Sequence, residues 1–323
     1  MEDLRAGNPN PAFYMPDSGS RRGNDPLSSL LLLIGPFFAC WSFFWLMPLL
    51  GGWELAMERS PQVEISQLQS SERVGFENFK RVFEDPKFIK SLENTLVFVG
   101  TSVAVTLVLG FILASIIRCL NSLLRSIFLF LLLVPSLALP GTLATLFYLF
   151  FHGKSGALNQ FLIIPLGFEP INWMMDPTWI LPCLVAQAVW RWTGLITLLL
   201  YCGMRTIPTW QFDVASIDGA TQWTIIRTIL YPGVKHLLLF GGIFLAIDGL
   251  ASFSGAYNLL GGSGGVLDAG LLFVTYAYQV AFPGGGGRFD LPLASAMCVS
   301  VALFATFCGW VVLRTYKRED ARL

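Results

Sequence analysis

IPTWQFDVASIDGATQWTIIRTILYPGVKH, from Ile207 to His236, is a polar interruption between two long apolar runs, and it carries strong helix punctuation. Pro208 suits the first position of a helix, where a missing N–H costs nothing. That helix can run through Ala215 and Ile217, and Gly219 can take the φ > 0 conformation that ends it. Thr221 is a candidate N-cap for a second helix through Ile225, Ile226 and Ile229. Pro232 is expected to stop that helix and turn the chain again. The stretch therefore predicts two short helices joined at a glycine corner, a knuckle between two membrane spans.

The flanking sequence sets the fold class. Of 323 residues, 54% are hydrophobic and 13% charged, about half the charge of an ordinary soluble domain. Six almost uncharged runs are each near the ~20 residues needed to cross a ~30 Å hydrocarbon core. They are Leu27–Leu50, Thr95–Ile117, Ser126–Phe151, Trp179–Tyr201, Leu237–Leu260 and Leu291–Leu313. Backbone polar groups in lipid must be satisfied internally, so the runs predict helices, and the chain an all-α polytopic membrane protein. Pro135 and Pro140 should bend the third. Residues 1–26, rich in Pro, Gly, Asn and Ser, read as a disordered tail rather than a cleaved signal peptide.

Basic residues set the expected orientation. With the N-terminus inside, Arg5, Arg21, Arg22, Arg118, Arg125, Arg205, Arg227, Lys235, Arg314, Lys317, Arg318 and Arg322 all fall on the cytoplasmic side. The short external loops hold Lys154 and Arg288. The long first external segment, Gly51–Asn94, carries six basic residues against eight acidic ones, and long loops weigh less in this rule. This divides the chain into a cytoplasmic tail (1–26), a first span with its extracytoplasmic segment (27–94), a core (95–314) with the cytoplasmic loop at 204–236, and a tail (315–323).

Asp213-Val214-Ala215-Ser216-Ile217-Asp218-Gly219-Ala220, followed by Ile229-Leu230-Tyr231-Pro232, resembles the EAA loop of binding-protein-dependent ABC import permeases. That pattern reads E-A-A-x-x-D-G-A and then I-x-x-P after a short helix. Asp213 stands where Glu is usual, Val214 where the first Ala is usual, and His236 where a second proline is frequent. The upstream Ile207-Pro208 is typical of the sugar-permease branch. Val74-Gly75-Phe76-Glu77-Asn78-Phe79 and Asp85-Pro86…Phe88…Leu92…Asn94-Thr95 resemble that branch's run before the second span, and Gly156-Ala157-Leu158-Asn159 its turn after the third. Gly261-Gly262-Ser263-Gly264-Gly265 stands in the place of its T-G-G-G-P loop without the proline.

The resemblance implies a type I ABC importer fold and a permease subunit for a carbohydrate. Its coupling residues would be Pro208, Asp213, Ala215, Asp218, Gly219, Ala220 and Pro232. It also implies a second permease chain, two ATPase subunits carrying ATP and magnesium, an extracytoplasmic solute-binding protein and a location in the inner membrane. Glycerol-3-phosphate and related phosphodiesters are the nearest alternative substrates. An ion-coupled secondary transporter is the alternative of another class, but such folds show inverted repeats and intramembrane acids, and here Asp248 alone lies well inside a run.

Enzyme signals do not hold up. Gly153-Lys154-Ser155 looks like the end of a phosphate-binding loop, but Tyr148 stands where its first glycine is required. Gly261–Gly265 matches G-x-S-x-G without a strand–turn–helix setting, and flexibility accounts for its glycines. The run Phe282–Gly287 likewise reads as a flexible connection. Six cysteines lie singly, so neither a disulfide framework nor a metal site is expected, and the zero net charge gives no sign of a nucleic-acid partner.

Two charges inside the runs, Arg191 and Asp248, are costly in lipid and must face protein or water. Arg191 lies 12 residues beyond Trp179 and Asp248 12 beyond His236, about 18 Å at 1.5 Å per residue, so both should sit near the midplane and pair. Trp190, Phe253 and Tyr257 join them as candidate lining of a solute path, since aromatic faces stack on sugars. Trp192 and Tyr276 are further aromatic residues on the matching segments.

Overall fold

The computed structural model describes residues 26–59, 73–282 and 289–320. Both the expected N-terminal tail, up to Asp25, and the glycines of the Phe282–Gly287 connection lie outside them. Every regular element among the described residues is helical. The chain divides into two compact units, Met1–Gly51 and Gly52–Leu323.

In the first unit, α1 (Pro26–Trp41) passes through a π-helical turn at Ser42–Leu46 into α2 (Met47–Ala56), whose residues from Gly52 on belong to the second. Leu32, Phe37, Phe44 and Trp45 are 82%, 64%, 70% and 69% exposed, as a helix that meets lipid tails requires.

The second unit begins with a short extended pairing, in which Glu58 bridges Arg73 and Asn78 Nδ2 donates to Ala56 O (2.9 Å) and Glu58 O (2.7 Å). Then come α3 (Glu77–Glu84) and α4 (Pro86–Arg118). Asp85 caps α4 by accepting from Lys87 N at 2.9 Å, and Pro86 takes the first turn, where its missing N–H is harmless. The helix is thus longer than the apolar run Thr95–Ile117 that predicted it.

The third run is broken rather than merely bent. Between α5 (Ser122–Leu137) and α6 (Pro140–Phe150) the axis turns by 101°. Leu139 precedes a proline and is pushed to extended backbone (φ −63, ψ 135), so no helix can pass through it.

Next, α7 (Pro177–Met204) starts at an Asp176 cap and packs along α4 and against α5 and α10. Glycines permit the close approach: a Cβ at Gly194 would lie 1.6 Å from Leu132 O, and one at Gly203 would lie 2.2 Å from Leu237 Cδ1. After it come α8 (Thr209–Ile217), α9 (Gln222–Ile225) and α10 (Tyr231–Leu250).

Here two expectations fail. Pro232 does not stop the second knuckle helix: Gln222–Leu250 runs as one helix of 29 residues. A π-helical turn at Ile226–Leu230, with Tyr231 N donating to Ile226 O, widens the helix just before Pro232 and accommodates its ring. And α10 ends at Leu250, ten residues before the apolar run does. The backbone breaks at Ala251–Phe253 before α11 (Ser254–Leu259), with Phe253 at φ −126, ψ −64. Finally, α12 (Phe273–Ala281), which has no counterpart among the six predicted runs, packs on α13 (Leu291–Asp320), which realises the sixth.

Among the described residues five helices are long and apolar enough to cross a membrane, or six if the bent α5–α6 pair counts as one span. That matches the expected six-span all-α architecture.

The residues that flank the spans in the sequence pattern turn out to be ties between loops. Asn94 Nδ2 donates to Asp268 O (2.9 Å) and Leu271 O (3.2 Å), and Thr95 Oγ1 accepts from Phe273 N (2.8 Å). Asn159 Oδ1 accepts from Trp173 Nε1 at 3.0 Å. The Gly261–Gly265 loop is equally well tied. Its glycines provide positive φ at 261, 262 and 265, and Gly262 O and Gly264 O accept from Gln279 Nε2 (3.0 Å) and Gly270 N (2.8 Å). Geometry rather than flexibility explains them.

Candidate functional site: a helical knuckle and a polar cavity

The knuckle is built from local rules. Pro208 is the N-cap of α8 (φ −59, ψ 135), one position before the predicted place. At the other end Asp218 N donates to Val214 O (2.9 Å), Gly219 N to Ser216 O (3.2 Å) and Ala220 N to Ala215 O (2.9 Å). The last two bonds form a Schellman motif, which needs a left-handed residue at its centre, and Gly219 sits at φ +68. Thr221 caps the next helix by accepting from Thr224 N at 3.3 Å.

One face of α8 is held. Phe212 packs into the cluster of Tyr201, Met204 and Leu230, and the Arg118 guanidinium lies 3.9 Å from its ring centroid. The opposite face is bare: Trp210, Val214 and Ile217, spaced i, i+4, i+7, are 62%, 48% and 85% exposed, and Trp223 beyond the corner is 70% exposed. Asp213, Asp218 and Pro232 are exposed, while Ala215 and Ala220 are half-buried. Trp210, Val214 and Ile217 thus form an apolar stripe beside the Asp213 and Asp218 carboxylates, the kind of face that groove-docking amphipathic helices present.

At the far end of the same helices lies a cavity of about 220 Å³. The broken segments make room for it: Pro140 and Leu143 of α6 and Ser252–Ala256 at the α10–α11 break line one part, and α4, α7, the end of α10 and Leu272 the rest. Arg191 and Asp248 both reach it, as expected from their depth, but they do not pair. No ion pair joins them among the described residues. Trp192 comes between: its Nε1 donates to Asp248 Oδ2 at 2.7 Å, and the Arg191 guanidinium lies 4.6 Å from its ring centroid. Phe244 closes the other side of the indole, edge-on at 5.1 Å.

Phe253 also lines the cavity. Trp190 and Tyr257 do not. Trp190 packs against Phe147 (5.5 Å), and Tyr257 belongs to a ring stack with Phe253 (4.9 Å) and Tyr278 (5.4 Å) just behind the wall. Tyr276 is buried elsewhere and donates to Asp85 Oδ2 at 2.5 Å.

Sequence reasoning passed over Ser102, Thr106 and Gln187, which line the cavity from α4 and α7. Their signal was present: Ser102 and Thr106, and Gln187 and Arg191, are polar pairs at i, i+4 on otherwise apolar helices, the spacing of a single face.

Comparison with known proteins agrees with this geometry. The chain is 27% identical over 293 residues to the lactose transport system permease protein LacF of Rhizobium radiobacter, covering 90% of this chain and 94% of that one. It is 29% identical over 251 residues to the sulfoquinovosyl glycerol transport system permease protein SmoG of Agrobacterium fabrum, covering 77% and 79%. Among solved structures, a chain of the bacterial alginate ABC transporter in complex with an alginate pentasaccharide-bound periplasmic protein shares the fold with a TM-score of 0.76 at 19% identity, covering 90% of this chain and 94% of that chain. Residues 106–319, which hold the knuckle and most of the cavity lining, match the model of the binding-protein-dependent transport system inner membrane component, and the chain belongs to that family.

Proposed function

We propose that this chain is one permease half of an ATP-driven importer for a carbohydrate. The observation that carries the reading is the bare apolar stripe of Trp210, Val214 and Ile217 on a helix whose other face is locked to the spans around a polar cavity. The carbohydrate class follows from the relatives, the lactose and sulfoquinovosyl glycerol permeases, and from the alginate transporter. Its partners are a second permease chain, two ATPase subunits that hold ATP and magnesium, and an extracytoplasmic solute-binding protein. The knuckle, with Asp213, Asp218 and the Gly219 corner, faces the cytoplasm and seats in the ATPase, and both termini are cytoplasmic. ATPase closure moves the knuckle, the spans open outward, and solute passes from the binding protein into the cavity lined by Arg191, Asp248 and Phe253.

The test is reconstitution of the chain with the permease, ATPase and binding-protein products of neighbouring genes in proteoliposomes. The expected result is sugar uptake that needs ATP inside the ATPase compartment and binding protein on the other side. Uptake driven by an ion gradient without the ATPase would overturn the reading.

A further inference from the structure

The cavity has a donor wall that nothing among the described residues satisfies. On α7, Gln187 and Arg191 are four residues apart, about 6 Å along the axis, and face the same space. Gln187 is 5% exposed and its Nε2 has no hydrogen-bond partner; Arg191 Nε is likewise buried without one. No carboxylate among the described residues lies within ion-pair distance of Arg191. Its charge rests on the Trp192 ring alone, which is a weak substitute for an anion. The carboxylate that might have neutralised it, Asp248, is held on the α10 side by the Trp192 indole N–H. The cation thus lies over the face of the indole and the anion at its N–H edge, without an ion pair between them. Two N–H groups on two side chains of one helical face, one of them cationic, match a single oxygen acceptor group, and a charged acceptor best.

We infer that Gln187 and Arg191 form an oxyanion subsite, and that the solute is an acidic sugar whose carboxylate or sulfonate binds the α7 wall while its hydroxyls meet Asp248 and Ser252 opposite. The inference rests on the importer reading for the cavity's being the solute path. The indole is then a spacer. It keeps Asp248 from quenching Arg191, so an incoming anion finds a cation that is positioned but not already paired.

The test is saturation-transfer NMR on the complete transporter in nanodiscs, with glucuronate against glucose, galacturonate against galactose, and sn-glycerol-3-phosphate as probes. The acidic member of each sugar pair should bind about tenfold or more tighter than the neutral one, the factor expected for a hydrogen-bonded charge. Arg191→Gln should bring the pair within about twofold by weakening the acid and not the neutral sugar. Arg191→Lys keeps the charge without the fork and should retain an intermediate preference. Equal binding of acid and neutral members to the unaltered transporter, or binding of none of the probes, overturns the subsite. So does a preference that survives Arg191→Gln. Tight glycerol-3-phosphate binding with no sugar acid bound would instead keep the subsite and overturn the carbohydrate reading.

Discussion

Replacing Gly219 with valine tests the knuckle without introducing a clash. A Cβ at this position would meet nothing within 4 Å in this chain, so the backbone conformation carries the expected effect. At φ +68 an L-residue with a side chain sits in left-handed space, at a cost of roughly 1–2 kcal/mol, with a β-branched residue at the upper end or above. The corner can relieve that strain only by giving up the bonds from Gly219 N to Ser216 O and from Ala220 N to Ala215 O. The helix would then fray and its two limbs would separate. A cost of that size lowers the population of the native corner about 5- to 30-fold relative to its alternatives. In the assembled transporter, Gly219→Val should therefore lose most solute uptake and most binding-protein-stimulated ATP hydrolysis. Gly219→Asn, which tolerates the left-handed region, should stay within about twofold of the unaltered protein. Both rates are read from the same proteoliposomes, with co-purification of the ATPase as a measure of docking. If Gly219→Val matches Gly219→Asn in uptake and stimulated hydrolysis, the corner does not transmit anything and the reasoning fails.

Three other outcomes follow from the same geometry. Ser155→Cys and Gln222→Cys, both at exposed positions and placed in a background without the six native cysteines, should label with an impermeant thiol reagent from opposite sides, Ser155→Cys from outside intact cells; labelling of Gln222→Cys from outside would invert the orientation. Trp192→Phe keeps a ring between Phe244 and Arg191 but strips Asp248 of its donor, at a cost of about 1–3 kcal/mol in thermal stability of the complex; that loss should be largely recovered by adding Asp248→Asn, and an unchanged melting profile refutes the bridge. Gly194→Ala puts a Cβ 1.6 Å from a backbone oxygen that cannot turn aside, so α5 and α7 must part, at ~1–3 kcal/mol or more; folded yield by size exclusion should fall, and an undiminished yield would falsify the close crossing.

What the sequence discloses here is local or one-dimensional. The Gly219 corner and the Thr221 cap are legible because each depends on a few neighbouring residues and a known backbone requirement. The depth of Arg191 and Asp248 is legible because rise per residue is constant. Azimuth is not: counting residues cannot say that Trp192, next to Arg191 in sequence, turns far enough to take the Asp248 carboxylate for itself. Pro232 was misjudged because its usual effect presumes an unperturbed α-helix, and the widened turn before it is not encoded by any residue preference. The early end of α10 at Leu250 is hidden because hydropathy continues through Phe253–Leu260 although the helix does not. The cavity depends on that break and on the one at Leu139, so its full lining was out of reach of a span-by-span reading.

The uninterrupted Gln222–Leu250 helix has a mechanical consequence. From Gln222 beside the knuckle to Asp248 at the cavity there are 26 residues of rise, about 39 Å at 1.5 Å per residue. Had Pro232 broken it, force applied at the corner would have dissipated in a swivel at the membrane surface. As built, the segment acts as a lever: a tilt of about 10° about its middle displaces each end by roughly 3 Å, in opposite directions. That is the length of one hydrogen bond, enough to carry Asp248 away from the Trp192 indole in a single stroke. On the proposed coupling, a torque applied at the knuckle end is matched in scale to the Trp192–Asp248 contact at the other.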